Sequence, residues 1–441
     1  MMQETTKKKV ILMGAISPFC DLVREIVDLN IEPIICDYYS DAPAKKMGYT
    51  SYDISTTDID AIVNLAKREN ANGIICAFSD RNLLPAYNVC TQLNLNYMFS
   101  QEIIKCLTDK IEMKRFFSSH GYPIVKYGVK DLEGIGNVED EFHFPVLTKP
   151  IDAYGSKGIF LCDTVEDLKN VYGKVLKESL NYEDRIIVEE YYRADEISIS
   201  AWVKNGKAYI TCIYDVSRNI EDTITLSSVS FPSKYSYSNL ECFGVLLNRI
   251  VSDIGIKDGP VTLQCFIGAD GIRISELLCR LAGGSPYLYP MYFGGPNVAK
   301  MMISYLVGNS IDYQNLQDFR PVIQGDDVFY DVQVLVNRKG RLHYVLDRKT
   351  ILKDNPEIAD IILYYKDNHE LVSVGSSGVV FARVICKTKR GMNYSDLVDK
   401  LDKIIAVYDE SGEKSSFIRK PCCFSATETY DIDWTFLKEQ L

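Results

Sequence analysis

Lys149 closes the apolar run Phe144-Pro145-Val146-Leu147-Thr148-Lys149-Pro150, and the turn Asp152-Ala153-Tyr154-Gly155-Ser156-Lys157-Gly158 follows before apolar residues resume at Ile159. A small turn between two strands offers successive backbone N–H groups that wrap phosphate oxygens, and a lysine at the strand end adds a fixed positive charge beside them. Taken alone, the segment is equally an ordinary hairpin with a solvated lysine. A second segment, Arg185 to Tyr192, runs as a strand into Glu189 and Glu190, with Glu196 a little further on. Backbone groups at such a strand end can pair with a purine edge, and a nearby carboxylate can accept ribose hydroxyls. Paired glutamates in a wet loop are the plainer alternative. The third segment, Gln264 to Gly284, turns at Ala269-Asp270-Gly271, a hairpin signal that would set Gln264 and Glu276 side by side. Hard cations such as Mg²⁺ take oxygen ligands of this kind and complete their shell with waters and substrate phosphates. Arg280, beyond the acid, is placed to steady charge on a transferring phosphoryl group.

These segments need elements to position them. Val10 to Gly14, Pro33 to Asp37 and Gly73 to Phe78 read as buried strands, alternating with helical patterns at Asp21 to Leu29, Asp58 to Asn70 and Leu83 to Leu93. Repeated βα units of this length predict a doubly wound parallel sheet. Gly14 in the first turn and Asp37 further on invite a dinucleotide reading. The turn is Gly14-Ala15-Ile16-Ser17-Pro18-Phe19, however, and lacks the second and third glycines that let a backbone approach a pyrophosphate. Helical patterns follow at Gln101 to Leu107 and Ile111 to His120. The polar stretch Asp215 to Lys234, with Arg218 and Ser227-Ser228, reads as a long loop, equally one that covers a substrate or a plain surface excursion. From about residue 311 the pattern starts afresh. Val328 to Val336 turns at Asn337 to Gly340 and returns through Leu342 to Leu346; Leu371 to Val374 and Val379 to Ile385 flank Gly375 to Gly378; a helix spans Ser395 to Ala406. This predicts an α+β C-terminal domain.

Composition narrows the class. The 441 residues carry a net charge of −11, which argues against general nucleic-acid binding, since neutralising phosphates needs a surplus of Lys and Arg on some face. The thirteen scattered cysteines contain no C-x-x-C and often sit in apolar runs, as reduced, packed thiols do; Cys422-Cys423 reads the same way. Four histidines in no H-x-x-H pairing make a histidine-built zinc site improbable. No run approaches the roughly 18–20 apolar residues of a membrane span. With the polar N-terminal start, that predicts a cytoplasmic protein with no membrane partner.

In their order along the chain, the three segments resemble the ATP-grasp superfamily. The branch they most resemble contains single-copy carboxylate–amine (amino-acid) ligases and the synthetase halves of carbamoyl-phosphate synthase. The resemblance covers roughly residues 8–310. It implies a pre-ATP-grasp domain over 1–107, a two-lobed ATP-grasp domain over 108–310 with a small lobe at about 122–190, and a C-terminal domain over 311–441. The last is more loosely similar to that of biotin-carboxylase-type members. By this resemblance Lys110 and Lys149 are the ATP lysines, and Tyr154, Gly155, Ser156, Lys157 and Gly158 form the lid over the phosphates. Glu189, Glu190, Tyr191 and Tyr192 form the hinge against adenine, and Glu196 takes the ribose. Gln264 and Glu276 take Mg²⁺, and Arg280 steadies an acyl phosphate. Gly283, Gly284, Ser285 and Tyr287 are candidates for the substrate pocket. The family pattern Glu-x-Asn-x-Arg stands here as Glu276-Leu277-Leu278-Cys279-Arg280, so Leu278 withholds one metal-binding oxygen.

The implied reaction activates a carboxylate with ATP and couples it to an amine, both small molecules. Two alternatives stay open: action on bicarbonate, as in carbamoyl-phosphate synthase or biotin carboxylase, and a nucleotide-binding regulator that has lost catalysis. A homodimer is the assembly to test for.

Overall fold

The N-terminal sheet forms around apolar stretches in three of its four strands, Val10 to Met13, Pro33 to Cys36 and Gly73 to Ile75. The computed structural model describes residues 7–153, 158–179, 184–220, 224–323, 325–372, 374, 379–420 and 429–437. Strands β1 (Lys9–Met13), β2 (Glu32–Asp37), β3 (Ser51–Asp53) and β4 (Gly73–Ile75) run parallel in the order β3-β2-β1-β4. Successive β1 side chains enter opposite layers, as the two-residue strand period requires. Val10 and Leu12 pack with Leu22, Val23 and Ile26 of helix α1 (Phe19–Asp28). Ile11 and Met13 pack with Ile62 and Leu65 of α2 (Ile59–Glu69) and Val89 of α3 (Leu83–Leu93). The sheet is thus doubly wound, as its alternating pattern predicts. Asp37 is not free to meet a ribose: its carboxylate accepts the Ala15 and Tyr39 N–H groups, both at 2.9 Å.

Helices α4 (Gln101–Thr108) and α5 (Lys110–Ser119) follow, each started by a side-chain cap. The Asp109 carboxylate accepts the Ile111 and Glu112 N–H groups at 2.8 and 3.0 Å, satisfying donors that a helix start leaves open. A small antiparallel sheet comes next: β5 (Tyr127–Lys130), β6 (Val146–Pro150), β7 (Phe160–Cys162) and β8 (Ile186–Glu190), ordered β5-β8-β6-β7. It has a core of its own, in which Val146, Ile186 and Val188 meet Leu168, Tyr172 and Val175 of the helix Val165–Lys177.

The large sheet holds β9 (Ala194–Lys204), β10 (Lys207–Ile220), β11 (Ile224–Phe231), β12 (Gly259–Gly268), β13 (Gly271–Leu278) and β14 (Asp327–Val336). A two-stranded ribbon, β15 (Gly340–Arg341) with β17 (Glu370–Leu371), lies apart from it. The large sheet is completed by β16 (Ile358–Leu363), β18 (Val379–Lys389) and β19 (Ser416–Phe417), in the order β13-β12-β9-β10-β11-β14-β18-β16 with β19 on β14. The helix Ser236–Ile254 covers it through Phe243, Leu246 and Ile250.

Three sequence expectations change. Asp215 to Lys234 is not a loop over the site, because most of it lies in the antiparallel pair β10–β11. Its Ser217, Ser227, Ser228 and Ser230 are buried, so a hydroxyl-rich strand had the composition of a loop. Leu342 to Leu346 does not return along β14, which pairs instead with β11, β18 and β19. Nor do Leu371 and Val379 start the two arms of one hairpin: β17 pairs with β15, and β18 with β14 and β16. Gly375 to Gly378 lie outside the described residues.

Candidate active site

Helix α5 gathers the site. Lys110 occupies its first turn, where a cation opposes the helix dipole, and its Nζ donates to the carbonyls of Ala153 and, at 3.5 Å, Pro150. One turn on, the Leu277 N–H of β13 points at the Met113 sulfur at 3.3 Å, and the Lys114 Nζ lies 2.6 Å from Glu189 Oε1 of β8. The helical period places all three on one face, so a single helix touches the end of β6, β8 and β13.

Lys149 and Glu189 meet because β6 and β8 pair with Leu147 opposite Glu189, which makes Lys149 its diagonal neighbour on the same face. Their Nζ and Oε1 lie 3.0 Å apart, with the side chains 12% and 10% exposed. Burial would push the Glu189 carboxyl up, but the charges of Lys149 and Lys114 overcome it and hold the group at about 2. Burial also pulls Lys110 down, as it does Lys114. For Lys149 burial is outweighed by Glu189 and Glu276, which raise it.

One face of the large sheet is polar. Gln264 and Glu276 are direct partners on β12 and β13, and Ser198 of β9 lies beside Gln264. Glu196, two residues from Ser198, shares that face and holds Arg218 of β10 through two contacts of 2.5 Å. Among the described residues the Glu276 carboxylate takes no hydrogen bond or ion pair, yet its charge acts on Lys110, Lys114, Lys149 and Arg218. Lysines from α5 and β6 therefore converge with an open carboxylate from β13. No group of three His, Cys, Asp or Glu side chains among the described residues is placed to hold a metal ion. Gln264 and Glu276 supply an oxygen pair, and Leu278 is buried and adds none. Such a pair suits one Mg²⁺ finishing its shell with water and phosphate oxygens, and does not suit zinc.

Around Glu190 to Tyr192 the Glu190 and Tyr192 side chains and the Tyr191 backbone N–H are engaged. Glu190 takes the His143 N–H at 3.1 Å and lies 3.4 Å from Lys126, facing away from Glu189. The Tyr191 N–H donates to the Pro145 carbonyl at 3.0 Å. The Tyr192 hydroxyl donates to the Gly271 carbonyl at 2.7 Å, and Arg273 lies 5.2 Å from its ring centre. What remains for a planar base is backbone, and among the described residues no carbonyl accepts the Tyr192 N–H. Gly268 is fitted beneath it: a Cβ there would lie 2.6 Å from the Arg193 carbonyl and 2.8 Å from the Tyr192 ring.

Arg280 is held rather than loose. Its Nε and Nη2 each lie 2.6 Å from an Asp80 oxygen, and Nη1 donates to the Leu281 carbonyl at 3.1 Å. Asp80 opens the turn Asp80–Asn82 beyond β4. Gly283 is exposed and Gly284 half-buried, both with open space around them. Ser285 and Tyr287 instead face inward, and the Tyr287 hydroxyl donates to the Pro18 carbonyl at 3.3 Å. Tyr154, Gly155, Ser156 and Lys157 lie outside the described residues, as do Cys422-Cys423. Gly158 sits at a φ of +68°, with Pro150 and Glu178 too close for a side chain.

Sequence reasoning missed Lys114 and Asp80 and misplaced Arg218. The helical period from Lys110 could have drawn attention to Lys114. Asp80 stands just beyond the third apolar run, at the carboxyl end of a parallel strand, where open α/β sheets bind ligands.

Comparison with known proteins bears on the fold. A family model described as an ATP-grasp domain matches residues 142–285. The formate-dependent phosphoribosylglycinamide formyltransferase of Saccharolobus solfataricus is 24% identical over 281 residues, which are 62% of this chain and 70% of that enzyme. Matches to further enzymes of that name span between 48% and 70% of their length. The biotin carboxylase domain of Hydrogenobacter thermophilus 2-oxoglutarate carboxylase superposes with a TM-score of 0.74 at 18% identity, covering 93% of this chain and 91% of that one. The L-amino acid ligase of Bacillus licheniformis gives 0.68 at 13% identity, covering 92% and 99%. The chain carries an ATP-grasp domain.

Proposed function

We propose that this protein is an ATP-dependent ligase that activates a carboxylate as an acyl phosphate and couples it to an amine, releasing ADP and phosphate. The observation that carries this reading is that the charge of Glu276, a carboxylate open among the described residues and paired across β12 and β13 with Gln264, acts on both Lys110 and Lys149. In the proposed reaction a substrate carboxylate oxygen attacks the γ-phosphorus, and the bond to the β–γ bridging oxygen breaks. Lys110 and Lys149 take up charge on the equatorial oxygens, while Arg280, fixed by Asp80, faces the acyl phosphate. Gln264 and Glu276 would hold a Mg²⁺ ion, which would supply further neutralisation of the phosphates. The amine then displaces phosphate from the acyl carbon and loses a proton. Catalysis of this kind is positioning and electrostatics and needs no nucleophilic side chain.

The relatives point the same way. One relative is named a formate-dependent formyltransferase and one structural neighbour an L-amino acid ligase, and each name includes a molecule that bears a carboxylate. Leu278 favours a second reading, a nucleotide-binding protein without turnover, because it removes an oxygen from the metal face. Incubating the protein with ATP, Mg²⁺ and pooled small carboxylates and amines separates the two. The ligase reading expects ADP and phosphate release that needs both pools, and loss of at least about a hundredfold in Glu276→Gln. ATP binding with no release over a broad panel would establish the second reading.

A further inference from the structure

Glu189 is shared by two lysines. Its Oε1 lies 2.6 Å from Lys114 and 3.0 Å from Lys149, and these side chains are 10%, 5% and 12% exposed. A buried carboxylate needs one cation to balance it, and a further buried charge carries a desolvation penalty. A Lys149–Glu189 pair by itself would be neutral and would draw a polyanion weakly. With Lys114 added, the cluster carries one net positive charge beneath the end of β6. Glu189 in turn separates two ammonium groups that would otherwise repel, and the lowering of Lys114 by burial is opposed by its charge. Met113, beside Lys114, already anchors α5 to β13, so anchoring does not require a second buried lysine.

We propose that Lys114 is a positioning residue of the phosphate site: by sharing the Glu189 carboxylate it leaves the Lys149 charge uncancelled and fixes its ammonium at the strand end. This rests on the ATP-binding reading above. Lys114 touches no substrate in this account; it acts through Glu189 and Lys149.

Calorimetric titration of the full chain with ATP plus Mg²⁺, and separately with adenosine, tests it. Lys114→Met is expected to weaken ATP binding by about ten- to a hundredfold, as loss of a unit charge near the phosphates predicts, and to leave adenosine binding unchanged. Lys114→Arg, which keeps the charge, is expected to restore ATP affinity to within about threefold of wild type. Equal loss for ATP and adenosine would mark a merely structural role and overturn the proposal, as would unchanged ATP affinity in Lys114→Met. Should Lys114→Met not fold, the arginine variant decides: a larger selective loss for ATP contradicts the proposal. Wild-type protein that binds no ATP would instead contradict the functional reading itself.

Discussion

At the scale of single residues, the site is a set of buried charges whose partners lie far apart in the chain. Glu189 is held at about 2, against an ordinary 4.5, by Lys149 and Lys114. A depressed carboxyl contributes stability above its unfolded value and loses it as pH falls through the folded one. Wild type is therefore expected to lose stability between about pH 4.5 and 2, and Glu189→Gln to lose that pH dependence. The same variant should be less stable at neutral pH by about 3 kcal/mol, because two buried ammonium groups lose their counter-charge; urea titrations across pH measure both effects. Lys149, Gln264 and Glu276 were legible because each stands at a strand end or in a readable hairpin. Arg280–Asp80 was not, since its partners are 200 residues apart and only the meeting of the segments after β4 and β13, where the Phe78 N–H donates to the Leu281 carbonyl at 3.2 Å, brings them together. Lys114 shares a helix face with Lys110 by its spacing, but its partner Glu189 is fixed only when β8 is placed against that face.

At the scale of elements, the regular ones announce themselves by period and caps. The pattern for α3 matches Leu83–Leu93, and that for α2 stops at its caps, Asp58 and Asn70. The β10–β11 hairpin does not, because its buried serines mimic a loop. The ribbon β15–β17 was also misassigned, since local turn chemistry does not fix which long-range partner a strand finds. Gly268 shows an element fitted to the site. Gly268→Ala is expected to force Arg193 and Tyr192 away from β12, lowering adenosine affinity about tenfold and stability by about 1–3 kcal/mol. Titration with adenosine and a urea melt check this, and an unchanged adenosine affinity would remove the hinge from its proposed place.

At the scale of the whole molecule, the C-terminal residues share the sheet that carries the site. β14 pairs with β11 on one side and β18 on the other. Arg383 and Asp331, both buried, form an ion pair across β18 and β14, and the Tyr289 hydroxyl donates to Asp331 at 2.6 Å. Asp331→Ala strands a buried guanidinium and is expected to cost about 3–5 kcal/mol, read as a lower urea midpoint. A change under about 1 kcal/mol would show the pair to be dispensable. The parallel N-terminal sheet was legible from its alternating strand and helix patterns; the continuity of the nine strands was not, because β-pairing between distant segments leaves no local signature. Among the described residues no helix is long and apolar enough to cross a membrane. The central claim is that a carboxylate oxygen attacks the γ-phosphate of ATP in the cleft between Lys149 and Glu276. Turnover with an ¹⁸O-labelled carboxylate and an amine in the presence of Mg²⁺ tests it most directly. The account predicts one ¹⁸O in the released phosphate for each amide formed, with ADP as the nucleotide product; unlabelled phosphate, or AMP and pyrophosphate, would contradict it.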